Sequence, residues 1–129
     1  MASFGATGAF YAQIKNGAPY QVLFAADAKT PKKIVEEGLG IDAKPYAFGK
    51  LVLWSAADNF VKQDPNFILS NDVKKIAVAN PKLAPYGEAA YQTMEKWGNL
   101  KKVEPKFVTG DNIGKTFQYA KTANAQVGF

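Results

Sequence analysis

The stretch from Ile76 to Glu88 constrains the fold more than any other part of this chain. Four small or β-branched apolar residues run without a polar break from Ile76 to Ala79, as expected for a strand covered on both faces. Asn80 and Pro81 then interrupt the run, and a helical pattern begins near Tyr86. A strand that leads directly into a helix is the unit from which parallel α/β sheets are built.

A second unit of the same kind follows in the sequence and supports this interpretation. The pattern predicts a strand at 75–79 and a helix at 86–97, then a strand at 106–109, a helix at 112–122 with Asp111 as its cap, and a final strand at 126–129. Alternating strands and helices indicate a parallel or mixed sheet with flanking helices. The functional loops of such a sheet lie at the carboxyl ends of its strands.

The first half of the chain is less regular. It opens with a loop of small residues at 3–8, and its predicted elements are helix 9–16, buried strand 21–26, helix 30 to about 38–40, buried strand 51–54 and a short helix near 59–63. Thr30 and Pro31 fit the cap and first position of the second helix. This order continues the α/β pattern.

Composition removes several classes of function. The chain has 129 residues with 47% hydrophobic content, enough for one ordinary domain or two thin lobes. It contains no cysteine, histidine or arginine, which excludes thiol chemistry, the usual zinc sites and histidine-based catalysis. The net charge of +5 comes from scattered lysines. Without arginine forks we expect no nucleic-acid partner, and without a long apolar run we expect no membrane insertion.

Three loops share features that suit an anion. They are 5–8, 84–87 and 109–113, and each lies where a helix begins. The first turn of a helix leaves backbone N–H groups unpaired, and glycine lets an anion approach them closely. Ser3 and Thr7 add hydroxyl groups to the first loop. None of the three matches a nucleotide-binding pattern.

The order of motifs along the chain resembles the periplasmic molybdate-binding proteins of ABC transporters. The motifs are Ser-Phe-Gly-Ala-Thr-Gly, Lys-Asn-Gly-Ala-Pro, Leu-Phe-Ala-Ala-Asp, Phe-Gly-Lys-Leu-Val-Leu-Trp, Ala-Asn-Pro-Lys-Leu-Ala-Pro-Tyr-Gly, Val-Thr-Gly-Asp-Asn-Ile and Ala-Gln-Val-Gly-Phe. The resemblance implies a Venus-flytrap fold of two lobes that close on molybdate or tungstate. It also implies a periplasmic location and delivery of the oxyanion to a transporter permease, with no cofactor and with metal present only as the oxyanion.

The resemblance also implies roles for four residues. Thr7 would donate its hydroxyl and its N–H, with Ser3 beside it, while Tyr86 and Ile113 would each donate a backbone N–H. The alternatives are a helix cap for Thr7, an exposed first-turn aromatic for Tyr86 and a core residue for Ile113. Asp27, Asp111 and Glu88 could be posed as an acid and base, yet each is more simply a cap or a surface charge, so we expect no enzyme.

The chain departs from the family pattern. Gln21 stands where the family usually has an aspartate, and the family's opening strand and later segments have no counterpart. We therefore expect a partial first lobe at 1–46 and an incomplete second lobe at 47–129. We also expect no signal peptide in this sequence, and a homodimer or higher assembly that completes the sheets. The alternative function is a remnant whose binding site is incomplete and which acts as a non-binding or assembly module.

Overall fold

A parallel sheet of three strands forms the centre of the molecule, which is described here for residues 2–129 from a computed structural model. Strand β1 spans Ile76–Ala79, β2 spans Phe107–Gly110 and β3 spans Val127–Gly128. Their order is β2-β1-β3, and Ile76 is paired with both Phe107 and Val127. Every residue of β1 is buried, as the unbroken apolar run predicts for a central strand.

The helices are α1 (Thr7–Lys15), α2 (Lys29–Glu36), α3 (Pro85–Lys96), α4 (Leu100–Val103) and α5 (Ile113–Lys121). Short 3₁₀ helices cover Pro65–Leu69 and Glu104–Lys106. The predicted strand and helix units of the second half are therefore confirmed to within one or two residues, whereas α4 and the segment at Glu104–Lys106 were not predicted. None of the helices within residues 2–129 has both the length and the apolar character needed to cross a bilayer.

The main core lies between the sheet and α3. Its buried members include Ile68, Val78, Met94, Val103 and Val127. On the other side of the sheet, small side chains let α5 approach closely, because Ala77 of β1 packs against Ala120. Close packing of this kind fixes the positions of α3 and α5 and therefore the positions of their first turns.

Two predicted strands are not formed. Residues 21–26 and 51–53 belong to no strand, and Trp54 alone makes an antiparallel bridge, to Gly128. The prediction was wrong because a strand needs a hydrogen-bonded neighbour as well as a suitable sequence. Within residues 2–129, neither 21–25 nor 44–53 makes a backbone–backbone hydrogen bond.

Two smaller predictions also need correction. The expected helix near 59–63 is absent, and the 3₁₀ helix follows at Pro65–Leu69, where the Asp64 carboxylate accepts from the N–H of Asn66. The helix expected from Thr30 begins at Lys29, and Asp27 supplies the side chain that accepts the N–H of Thr30. A carboxylate can cap a first turn as well as a hydroxyl can.

Candidate functional site

The turn between β1 and α3 is held by Asn80. Its backbone carbonyl accepts from the N–H groups of Leu83 and Ala84, and its side chain accepts from Lys82 at 2.9 Å. Pro85 then occupies the first position of α3, where a missing N–H costs nothing. Tyr86 therefore lies in the first turn of α3, with its side chain 40% exposed.

Gly87 lets the start of α3 lie directly on the end of β1. A Cβ atom at this position would clash with the carbonyl oxygen of Ala79 and would come within 2.8 Å of the carbonyl carbon of Asn80. Only glycine fits such a close approach of two backbone segments without a shift. The first-turn N–H groups of α3 are thereby held at the carboxyl end of the central strand.

The start of α5 repeats this arrangement beside β2. Asn112 is the N-cap, and its side chain accepts from the N–H of Lys115 at 2.9 Å. The predicted cap, Asp111, instead pairs with Lys115 at 3.0 Å, and this hydrogen bond raises the pKa of Lys115. Asp111 could not cap this helix because Asn112, one residue later, has the extended backbone of the N-cap. Ile113 is the first helical residue, and Gly110 packs closely against Thr116.

Tyr86 and Ile113 line the same cavity. Its volume is about 170 Å³, and its walls are formed by Lys50, Leu51, Val52, Trp54, Tyr86, Ile113, Phe117 and Phe129. The rings of Trp54 and Phe117 stack on one side, with centroids 4.9 Å apart. Lys50 carries the one charged side chain among these lining residues. Two of the four predicted site residues are thus brought together in space.

Thr7 lies close to the same region but outside the cavity. It is the first residue of α1, whose N-cap is Ala6, and its side chain is buried. The N–H of Gly8 donates to the carbonyl of Leu83 at 2.9 Å, while Ala6 packs against Ala84. The start of α1 is therefore fixed against the turn that leads into α3.

The hydroxyl of Thr7 keeps a proton to donate. Its oxygen accepts from the N–H of Ala26 at 3.1 Å, and a threonine hydroxyl that accepts can also donate. Thr7 is therefore not the cap that the alternative interpretation required, because Ala6 holds that position. Ser3, by contrast, is exposed and is not among the residues that line the cavity.

Each of the three helices has one first-turn N–H group without a backbone acceptor among the described residues. Within residues 2–129, the N–H groups of Thr7, Tyr86 and Ile113 donate to no other backbone group. Such groups carry partial positive charge at the positive end of the helix dipole. Residues 2–129 contain no group of three or more acidic side chains that could hold a metal ion. The donors present therefore suit an anion better than a cation.

Sequence reasoning missed Lys50, Trp54 and Phe117. Trp54 reaches the cavity because it pairs with Gly128, which lies far from it in sequence. Phe117 reaches it from the second turn of α5. The only signal was the apolar face of that helix, which by itself indicates packing and not a site. Long-range pairing of this kind cannot be read from local pattern.

The fold is that of a binding protein of the solute-receptor class. A family model described as bacterial extracellular solute-binding protein matches residues 1–129, and the chain belongs to that family. The family consists of solute-binding proteins and not of enzymes, which confirms the expectation drawn from composition. No catalytic cofactor is indicated for it.

Relatives and one solved structure narrow the similarity. The chain is 48% identical to the molybdate-binding protein ModA of Rhodobacter capsulatus and 45% identical to that of Azotobacter vinelandii, each over 98% of this chain and 51% of the relative. The structure of the Azotobacter vinelandii periplasmic molybdate-binding protein superimposes with a TM-score of 0.93 and 38% identity. The superimposed region covers 98% of this chain and 57% of the Azotobacter vinelandii protein. The chain thus spans about half the length of these relatives.

Proposed function

We propose that this chain binds a tetrahedral oxyanion, molybdate or tungstate, as part of the solute-binding component of an ABC transporter. The observation that carries the proposal is the position of Tyr86 and Ile113 on one cavity, each in a first helical turn. Two relatives at 45% and 48% identity are named as molybdate-binding proteins. The cavity geometry and the names of these relatives together favour an anion that is bound by backbone N–H groups.

The donor set explains which anions we expect to bind. Backbone N–H groups can donate to the oxygens of a fully deprotonated dianion, but they cannot accept the proton of hydrogen phosphate. We propose that Tyr86 and Ile113 supply N–H groups, that Thr7 supplies its N–H and hydroxyl, and that Ser3 adds a second hydroxyl. Lobes 1–46 and 47–129 would close on the anion.

Calorimetry and thermal unfolding with four anions test this function. Molybdate or tungstate at 100 times its dissociation constant should stabilise the native chain by about 2.7 kcal/mol. Phosphate, which keeps a proton, and sulfate, whose shorter bonds place its oxygens farther from the donors, should have little effect. Because Trp54 lines the cavity, its fluorescence should change in the same titration. Equal responses to all four anions would contradict a selective site.

One variant pair isolates a single backbone donor. Ile113 is the first residue of α5 and follows Asn112, whose φ of −149° and ψ of 169° a following proline allows. Ile113→Pro therefore removes the N–H without breaking the helix, and Ile113→Val keeps it. Loss of a hydrogen bond to a charged ligand, about 1.5–3 kcal/mol, should weaken molybdate binding about tenfold or more in the proline variant only.

The alternative function is a remnant with an incomplete site. One observation favours it as the second candidate: Ser3 lies outside the cavity. A remnant would fold, yet none of the four anions would raise its unfolding temperature. The titration above therefore decides between the two functions.

We also propose a periplasmic location and delivery of the oxyanion to a transporter permease. The support is the family description, extracellular solute-binding protein, and the periplasmic relative of known structure. A homodimer or higher assembly stays a prediction. Light scattering of the purified chain tests it, and a monodisperse monomer would contradict it.

A further inference from the structure

The first helix, α1, ends in a glycine cap that follows an asparagine. The N–H of Gly17 donates to the carbonyl of Ile14 at 2.9 Å. The N–H of Ala18 donates to the carbonyl of Gln13 at 3.0 Å. Gly17 has a φ of 83°, and this pair of hydrogen bonds around a left-handed glycine is the Schellman motif. Asn16 is the C-cap residue that precedes the glycine.

The helices α2 and α3 end in the same way but have other residues before the glycine. Gly38 and Gly98 have φ values of 72° and 71°, and each donates its N–H to the carbonyl three residues back, as Gly17 does. The C-cap residues of these helices are Glu37 and Trp97. The cap therefore needs glycine but makes no demand on the residue before it, and the asparagine gives the end of α1 a chemistry that the other two ends lack.

That chemistry depends on the order asparagine-glycine. Of the eight asparagines in the sequence, Asn16 alone precedes a glycine. The backbone nitrogen that follows an asparagine can attack its side-chain amide, and a glycine at that position has no Cβ to hinder the approach. Asn16 and Gly17 are both exposed. Solvent water therefore reaches the turn in which this attack would occur.

We propose that the Asn16-Gly17 pair is a deamidation site whose rate is set by opening of the α1 cap. The backbone nitrogen of Gly17 forms a bond to Cγ of Asn16, the bond from Cγ to Nδ2 breaks, and ammonia leaves with the proton from the attacking nitrogen. Water then adds to one carbonyl of the cyclic imide and opens it. The product is aspartate or isoaspartate at position 16, and no electrons are gained or lost.

The closed cap opposes this reaction in two ways. The N–H of Gly17 is held by the carbonyl of Ile14, so the attacking nitrogen is not free to turn. The Nδ2 of Asn16 donates to the carbonyl of Ala12 at 2.8 Å, which directs the side chain back along the helix and away from that nitrogen. Reaction therefore requires local opening of the last turn, and helix ends open more readily than helix centres.

The product weakens the end of α1. A carboxylate at position 16 stands at the negative end of the helix dipole, where a neutral amide stood before. Isoaspartate also lengthens the backbone by one carbon, which moves the N–H groups of Gly17 and Ala18 away from the carbonyls that they bind. Each modified chain therefore opens its cap more easily. Deamidation does not depend on anion binding.

Peptide mapping by mass spectrometry tests the proposal. The chain is incubated in mildly alkaline buffer, folded in one sample and unfolded by guanidinium chloride in another, and replacement of NH₂ by OH is followed at every asparagine. We expect position 16 to react first in the unfolded sample and to react at least tenfold more slowly in the folded one. Faster reaction of another asparagine in the unfolded sample would overturn the proposal, as would equal rates at position 16 in the two samples.

A variant pair shows whether the cap itself sets the rate. Ala18→Pro removes one of the two cap N–H groups but leaves Asn16 and Gly17 in place, so it should raise the rate in the folded chain at least threefold. Leu39→Pro is the matched control, because it removes the corresponding N–H at the end of α2, and it should change the rate at position 16 by less than twofold. Equal rates in the two folded variants would overturn the assignment of control to the α1 cap.

Discussion

Gly87 is the residue on which the geometry of the candidate site depends most directly. A Cβ at this position would meet the carbonyl of Ala79, which is backbone and cannot rotate away. We expect Gly87→Ala to lower the free energy of unfolding by about 1–3 kcal/mol through overpacking. Denaturant unfolding followed by tryptophan fluorescence measures this loss.

Gly49→Ala is the matched control for that substitution. No heavy atom lies within 4 Å of a Cβ built at Gly49, so the change should stay within about 0.5 kcal/mol. If the two variants unfolded at the same denaturant concentration, the close contact between α3 and β1 would not be present in solution.

Asn112 and Asp111 are adjacent but have different roles: Asn112 caps α5, and Asp111 forms an ion pair with Lys115. Asn112→Ala removes the side-chain cap of α5 and should cost about 0.5–2 kcal/mol. Asp111→Ala removes an exposed ion pair with Lys115, which solvent screens, and should change the free energy of unfolding by less. Urea unfolding of both variants compares them, and a larger loss for Asp111→Ala would indicate that Asp111 is the cap.

At the scale of single residues, the sequence predicted which residue types cap a helix better than it predicted which position does so. Either Asp111 or Asn112 could cap α5, because both residue types accept a first-turn N–H. The choice between them depends on the backbone angles that β2 imposes, and these are not visible locally. Thr7, Tyr86 and Ile113 were expected near helix starts and lie there; their role as anion donors stays a prediction.

Among the elements, the short 3₁₀ helix at Pro65–Leu69 is anchored by a distant lysine. The Nζ of Lys106 donates to the carbonyls of Ile68, Leu69 and Ser70 at 3.0–3.3 Å. Carbonyl groups at the end of a helix need partners, and a cation supplies them with favourable charge. This contact joins the loop before β1 to the segment that leads into β2.

Lys106→Met tests that anchor. The variant keeps most of the apolar stem but loses three hydrogen bonds from a charged donor, so we expect a loss of about 1–3 kcal/mol in the free energy of unfolding. Lys101→Met removes an exposed lysine of α4 and should change it by less than about 0.5 kcal/mol. Denaturant titrations of the two variants should therefore separate, and coincident curves would contradict the anchor.

Element prediction succeeded where local pattern and tertiary context agreed. The units that contain β1 with α3 and β2 with α5 follow directly from an apolar run, a turn and a helical period. Residues 21–26 have an equally good strand pattern, yet they pair with no strand. Strand identity is a property of two segments, so a single segment cannot determine it.

At the scale of the whole molecule, we expect stability to be uneven. The amides of β1 lie in a buried central strand with neighbours on both sides, whereas 21–25 and 44–53 have no backbone partners among the described residues. Hydrogen exchange of the isolated chain should therefore be slowest at 76–79 and fast in the two extended segments. Comparable protection in all three regions would contradict the structure.

The strand order β2-β1-β3 has a consequence for biosynthesis. The central strand is made first, its neighbour β2 next, and the strand that covers its other edge only when residues 127 and 128 are added. One edge of β1 thus stays open while the ribosome adds roughly fifty residues. A nascent chain stalled before Val127 would expose its most apolar strand, which makes that interval the one in which a chaperone would contribute most.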